Sequence, residues 1–262
     1  MNLQIFQVDA FTKEVFRGNP AAVVPLPKWL DDETMQRIAA ENNLAETAFF
    51  VPMEDHYEIR WFTPAVEVNL CGHATLGSAY VIFNCLHLED HFIRFSSKSG
   101  ELTVEKQGDV LVLDFPRYGV NEIEIDKKLV EAVDKKPLQM FETQGHMVMM
   151  LFEKESDVAA IAPDFSALTR IEDFNEVIVT AKGGASDFVS RMFAPKLGIP
   201  EDPVTGAIHC SLIPFWAERL GKEQLFARQI SARGGDLFCS LSGDRVKIGG
   251  NASLYLKGEI YV

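Results

Sequence analysis

Short apolar runs rich in β-branched and aromatic residues recur along the chain, with Gly, Pro or Asn near most of their ends. Such runs predict strands. In the first half they are Leu3–Val8, Ala21–Val24, Ala48–Val51 and Tyr57–Phe62. Leu102–Glu105 and Val110–Asp114 alternate about Gln107-Gly108-Asp109 and predict a hairpin. Before them, Gly72–Phe83 carries small and apolar residues, no Pro and almost no charge. All-round apolarity predicts a helix buried inside a domain.

The second half repeats this order. Gln139–Thr143, Met147–Phe152, Glu176–Thr180 and Phe188–Phe193 are strand-like. Thr205–Leu220 then reads as a mainly apolar helix, interrupted by Pro214 and closed by Gly221 at the C′ position. A hairpin, Leu237–Ser240 with Arg245–Ile248, follows around Gly243. Amphipathic helices are expected at Asp32–Glu41, with Asp31 or Asp32 as N-cap, and around Pro163–Ile171.

The wording repeats along with the order. Arg60-Trp61-Phe62-Thr63-Pro64 returns 131 residues later as Arg191-Met192-Phe193-Ala194-Pro195. Gly100-Glu101-Leu102 and Gly108-Asp109 return 135 residues later, at Gly235-Asp236-Leu237 and Gly243-Asp244. Ordered matches at nearly constant offset predict a duplication. The expected fold is α/β (α+β), with two pseudo-symmetric domains. Each is a curved, mainly antiparallel sheet wrapped around a central helix. The expected domains are 1–116, completed by the returning tail 252–262, and 117–251.

Composition narrows the partners. The 262 residues suffice for two cores, and 47% hydrophobic with 24% charged residues is ordinary for a folded chain. The net charge is −13 and no Lys/Arg cluster stands out, so neither nucleic acid nor an anionic membrane is an expected partner. An anionic metabolite is still admitted, because backbone amides at a helix N-terminus act locally. The start, MNLQIFQVDAFT, lacks a signal-peptide pattern, and no apolar run approaches a membrane span. Cys71, Cys85, Cys210 and Cys239 form no CxxC pair, which fits a reducing cytoplasm. His56, His87, His91 and His146 show no ligand spacing, and no nucleotide-binding glycine pattern occurs. No metal and no cofactor are expected.

Both central helices begin at polar, Gly-containing sequences: Asn69-Leu70-Cys71-Gly72-His73-Ala74-Thr75 and Glu201-Asp202-Pro203-Val204-Thr205-Gly206. In a duplicated fold these starts are expected to face one shared cleft, with unpaired N–H groups aimed at a carboxylate or a developing enolate. Glu46 is expected in a short link between a helix and an apolar strand. There Leu44, Phe49 and Phe50 would partly desolvate it, as a general acid/base requires.

Five segments in order, VDAFT, FRGNPAAVV, NLAETAFF, IRWFTPAVEVNLCGHATLGSA and GIPEDPVTGAIH, resemble the phenazine-biosynthesis-like proteins, relatives of diaminopimelate epimerase, essentially end to end. The resemblance implies a cofactor-free, proton-shifting isomerase acting on a small carboxylated substrate, often as a homodimer. It implies Glu46 as catalytic acid/base, His73 as the histidine that holds or polarises the substrate, and Asp202 as the second active-site carboxylate. It places Gly72, Thr205 and Gly206 at backbone contacts with the ligand, and Asn19 near them. Two departures bear on the transfer. Cys71 lies near one of the two thiol positions of the wider superfamily's amino-acid racemases, but Asp202-Pro203-Val204 supplies no second thiol, which disfavours that chemistry. Ala207 stands where the phenazine enzyme has a hydroxyl residue, which points to a different substrate. A non-catalytic metabolite-binding or regulatory protein of the same fold is the alternative. On residues alone, Cys71 reads as an inert buried thiol and His209-Cys210 as packing.

Overall fold

Residues 1–87 and 89–262 are described by the computed structural model, and they divide into two compact units. The first is Met1–Phe115 with Lys247–Val262; the second is Pro116–Val246. The chain passes back into the first unit within the strand Arg245–Gly250. Each unit is a mainly antiparallel sheet around one apolar helix.

In the first unit Asn2–Ala10 runs antiparallel to Asn19–Pro25 on one side and to the late strand Ala252–Tyr261 on the other. Asn19–Pro25 is parallel to Glu46–Pro52, which is antiparallel to Tyr57–Phe62. Tyr57–Phe62 in turn pairs in parallel with Phe92–Ser97, and Gly100–Gln107 and Val110–Pro116 complete a meander. The second unit repeats every step. Gln139–Thr143 is antiparallel to Met147–Leu151, which is parallel to Glu176–Lys182. Glu176–Lys182 is antiparallel to Phe188–Ala194, which is parallel to Gln224–Gln229, itself antiparallel to Gly235–Ser242. The parallel pairings are explained by the crossover segments that precede them, since parallel neighbours need a long connection.

The first central helix, Gly72–Tyr80, buries His73 through Ala79, and the second, Gly206–Leu220, buries eleven of its residues while running on through Pro214. Burial on all faces follows from the nearly uniform apolar sequence, each large side chain contributing about 1.5–3 kcal/mol. The first helix departs from the expected span Gly72–Phe83: α-geometry ends at Tyr80 and a π-helical turn, Val81–Cys85, continues it. Asp32–Asn42 forms with Asp31 as N-cap, its carboxylate accepting from the Thr34 amide. The helix expected around Pro163–Ile171 is shorter, Phe165–Thr169 behind an Asp164 cap. Lys127–Val133 and Glu155–Ala160 are helices of fewer than two turns, too short to show a period in sequence. Among the described residues no helix is long and apolar enough to cross a membrane.

One device recurs in both units and fixes where each central helix begins. Arg60 grips both oxygens of Glu67 at 2.7 and 2.8 Å, and its guanidinium lies 5.2 Å from the Phe62 ring centre. Arg191 grips Glu201 at 2.7 and 3.0 Å and lies 5.0 Å from the Phe193 ring centre. Glu67 and Glu201 each stand five residues before the first helical residue. The fork therefore staples the helix approach to the neighbouring strand, with the planar guanidinium satisfying both carboxylate oxygens. The Glu67 carboxyl is held down to about 2, first by the Arg60 hydrogen bonds, against the opposing effect of burial.

Arg191 also donates to the carbonyls of Val158 and Ile161. Arg191→Ala should therefore cost about 3 kcal/mol by leaving Glu201 and two carbonyls unpaired. At about 2–4 °C per kcal/mol for a chain of this size, the melting temperature falls by about 6–12 °C in scanning calorimetry. Arg191→Lys should recover little of it, because an ammonium cannot reproduce the fork. An unchanged melting temperature in Arg191→Ala would remove the staple from the account.

Candidate active site

The first helix start is assembled from three strands' ends. Gly18, at φ +64°, turns the chain so tightly that a Cβ there would lie 2.1 Å from the Ala10 carbonyl oxygen. Only glycine fits, and the turn sets Asn19 opposite Ala10 at the beginning of its strand, fully buried. Glu46 is not in a link, as the sequence suggested. It is the first residue of the strand Glu46–Pro52, paired in register with Ala21. Cys71 is the N-cap of the central helix, in extended conformation and with no side-chain capping hydrogen bond, and Gly72 and His73 are the helix's first two residues.

These positions converge on the His73 ring. Nε2 lies 3.1 Å from Glu46 Oε2, an ion pair whose approach is too oblique for a linear hydrogen bond; the side chains are 7% and 12% exposed. Nδ1 lies 3.2 Å from the Asn19 side-chain amide and 3.5 Å from Cys71 Sγ. Burial opposes a charge on His73, and the Glu46 carboxylate beside Nε2 favours one; the ring is moved above its usual range. The Asn19 atom that faces Nδ1 is the side-chain amide nitrogen Nδ2. Burial, with the Glu46 charge second, pushes the Cys71 thiol up. Cys71 is thus a neutral thiol 6% exposed.

A cation at a helix N-terminus opposes the helix dipole, and Glu46 is the compensating charge. The result is a carboxylate poised against an imidazole ring at a helix N-terminus, an arrangement that can exchange protons with a ligand and steady negative charge on it. Among the described residues Glu46, Cys71 and His73 are also the one group whose donor atoms lie within 4.8 Å of one another as metal ligands would. Metal binding requires thiolate and neutral imidazole, the reverse of the protonation states this surrounding favours.

The second helix start is built differently. Asp202 closes the strand Ile199–Asp202 and is 6% exposed. Its carboxylate accepts a very short hydrogen bond from the Thr205 hydroxyl, and Thr205 is the N-cap of Gly206–Leu220. Gln229, buried on its strand, ties the turn together. Its Oε1 accepts from the Thr205 amide at 2.9 Å, and its Nε2 donates to the Asp202 carbonyl at 2.8 Å. His209 donates from Nδ1 to the Thr205 carbonyl at 2.8 Å, and burial lowers it to about 4, so it is a neutral packing group. Thr75 in the first unit bonds the Cys71 carbonyl four residues back in the same way.

Of the residues singled out in the sequence, Asn19, Glu46, Gly72 and His73 are gathered at the first unit's helix start. Asp202, Thr205 and Gly206 are gathered at the second unit's. Sequence reasoning missed Gln229 and the Arg–Glu forks. It also missed Glu176, which burial first and the Asp202 charge second push up to about 7. The duplication offset was the available signal for Glu176: it follows Glu46 by 130 residues, close to the 131 that separates the two Arg motifs.

Against known proteins, the family description "Phenazine biosynthesis-like protein" matches residues 8–258. A relative in Pseudomonas aeruginosa, named an uncharacterized isomerase, is 48% identical over 262 residues, covering all of both chains. A crystal structure of a phenazine biosynthesis protein of the same family from Enterococcus faecalis superposes with a TM-score of 0.97 at 47% identity, again over all of both chains. A hydroxyproline epimerase from Agrobacterium vitis, 11% identical with a TM-score of 0.61 over 99% of this chain and 92% of its own, shares the fold alone. With the duplicated sheet-and-helix fold and end-to-end identity in hand, the chain belongs to the phenazine biosynthesis-like family, whose relatives include proteins named as isomerases.

Proposed function

We propose that the protein is a cofactor-free isomerase that shifts a proton on a small carboxylated metabolite, with Glu46 as general acid/base. The observation that carries this reading is the Glu46–His73 ion pair at 3.1 Å beside the amides of a helix start. A carboxylate takes a proton from an activated C–H bond only where the electron pair left behind is stabilised, and imidazolium plus backbone N–H groups supply that stabilisation. His73 is assigned to the substrate's carboxylate or ring. Gly72, Thr205 and Gly206 are assigned backbone contacts with the ligand, and Asn19 the orientation of His73. Asp202 is assigned the bond to a substrate amine or hydroxyl.

The probes are a dihydro-hydroxyanthranilate, L-proline and methylitaconate. They combine a carboxylate with an acidic ring or vinylogous C–H, and the last two are chosen from fold neighbours named as a proline racemase and a methylitaconate isomerase. Proton–deuterium exchange in heavy water, followed by NMR, should appear with at least one of them. Glu46→Gln should lower the exchange rate by about 10²–10⁴-fold, while affinity by titration calorimetry stays within about threefold. An equal loss of affinity would make Glu46 a contact residue only. Tight binding without exchange for all three probes would favour a binding protein.

Asp202→Ala should weaken affinity and rate together, by about tenfold each for a lost charge-assisted hydrogen bond. If neither moved, Asp202 would have no part in ligand recognition.

A further inference from the structure

We propose that the strand Ala252–Tyr261 is a self-association surface, which pairs antiparallel with the same strand of a second copy of this chain about a twofold axis at Gly258. The proposal is independent of the proton-shift reading and lies wholly in the first unit.

The strand is a long, open sheet edge. It runs for ten residues without Pro, and among the described residues its one strand partner is Asn2–Ala10. The backbone of residues 256–260 has no other hydrogen-bond partner among the described residues. None of the ten residues is fully buried, and Tyr255, Leu256 and Tyr261 are exposed, as are Val262 and Met1 beside them. Such an edge presents a row of N–H and C=O groups ready to pair with another strand, and apolar exposure along it favours a protein partner over water.

The sequence of the edge is its own complement. A twofold axis between identical strands sets residue against residue in a fixed register, each contact occurring twice. With the axis at Gly258, Lys257 stands opposite Glu259 of the second copy, and Glu259 opposite its Lys257. Leu256 and Ile260 meet one another in the same way. Moving the axis one residue in either direction would instead set Lys257 against Lys257 or Glu259 against Glu259. Opposite residues share a face, so the charges select one register.

The faces agree with that register. Lys257 is opposite Phe6 and Glu259 opposite Gln4 on Asn2–Ala10, which places both charges on one face of the sheet. Leu256, opposite Gln7, and Ile260, opposite Leu3, lie on the other. Among the described residues neither charge has an ion-pair partner. Lys257 Nζ lies 5.7 Å from the Phe6 ring centre, and Glu259 accepts a long bond of 3.4 Å from the Tyr261 hydroxyl. Self-pairing gives each a partner of opposite sign. On the other face Leu256 and Ile260 line an open groove with Ile5 and Leu44, and Ile260 also packs against the core under the helix Asp32–Asn42. The second copy's Leu256 and Ile260 extend that apolar strip across the axis and withdraw it from water.

Sedimentation equilibrium of the full chain should give twice the 29.3 kDa of one copy. Lys257→Glu alone and Glu259→Lys alone each set like charges opposite one another twice, and each should raise the dimer dissociation constant by about tenfold or more. The double exchange, Lys257→Glu with Glu259→Lys, restores both pairs and should return the constant to within about threefold of wild type. All three positions changed are exposed or carry no core contact, so circular dichroism should show an unchanged fold. Gly258→Cys tests the register by itself. Outside its chain neighbours, a Cβ there meets only Leu256, at 3.8 Å, so the side chain has room. Two such thiols facing one another across the axis should join under mild oxidation into a disulfide-linked dimer that wild type does not form. A monomeric wild type would overturn the proposal. So would a dimer indifferent to both charge reversals, a double exchange that fails to restore association, or a Gly258→Cys dimer that does not cross-link.

Discussion

A helix enclosed on every side by a sheet must still satisfy the backbone amides of its first turn, and that requirement governs both halves of this molecule. The two central helices are too apolar to lie anywhere but inside their units, so their first turns are the places where polar backbone meets a mostly apolar surrounding. Each unit answers with a different set of side chains. The first gathers Asn19, Glu46 and His73 around an extended Cys71 cap, and the second ties Asp202, Thr205 and Gln229 into a closed turn.

The precision of both sites depends on the arginine forks. A carboxylate that must meet an imidazole within hydrogen-bonding range tolerates little drift between strand and helix. Glu67 and Glu201 sit on the segments leading into the helices, and a bidentate pair with an aromatic ring against the guanidinium restrains those segments in both direction and rotation. The duplication kept this scaffold feature in both copies while the residues at the helix starts diverged.

Much of this was legible in the sequence because the signals were local or repeated. The strands around Phe49, Trp61 and Phe193 announced themselves by apolar composition, the buried helices by the absence of charge, and the duplication by the RxFxP wording. Asn19, Glu46, His73 and Asp202 were found through motif resemblance, not through physical necessity. What escaped notice was relational. Glu176 looks like any glutamate before a strand until the register shows that it opens its strand as Glu46 does, and Gln229 has no neighbouring motif at all. Lys127–Val133 and Glu155–Ala160 were invisible because one or two turns carry no readable period. Strands such as Phe92–Ser97 and Gln224–Gln229 mix polar with apolar residues and depend on their partners for order.

The strand Ala252–Tyr261 has a consequence for biosynthesis. It flanks Asn2–Ala10, so that strand lacks one of its sheet neighbours until the segment through residue 261 has left the ribosome. Pro116–Val246, in contrast, is contiguous and has all its pairing partners in hand before the last strand emerges. During translation the order of maturation is therefore inverted relative to the order of synthesis: the second half reaches its final pairing first, and the opening strand waits for the closing one.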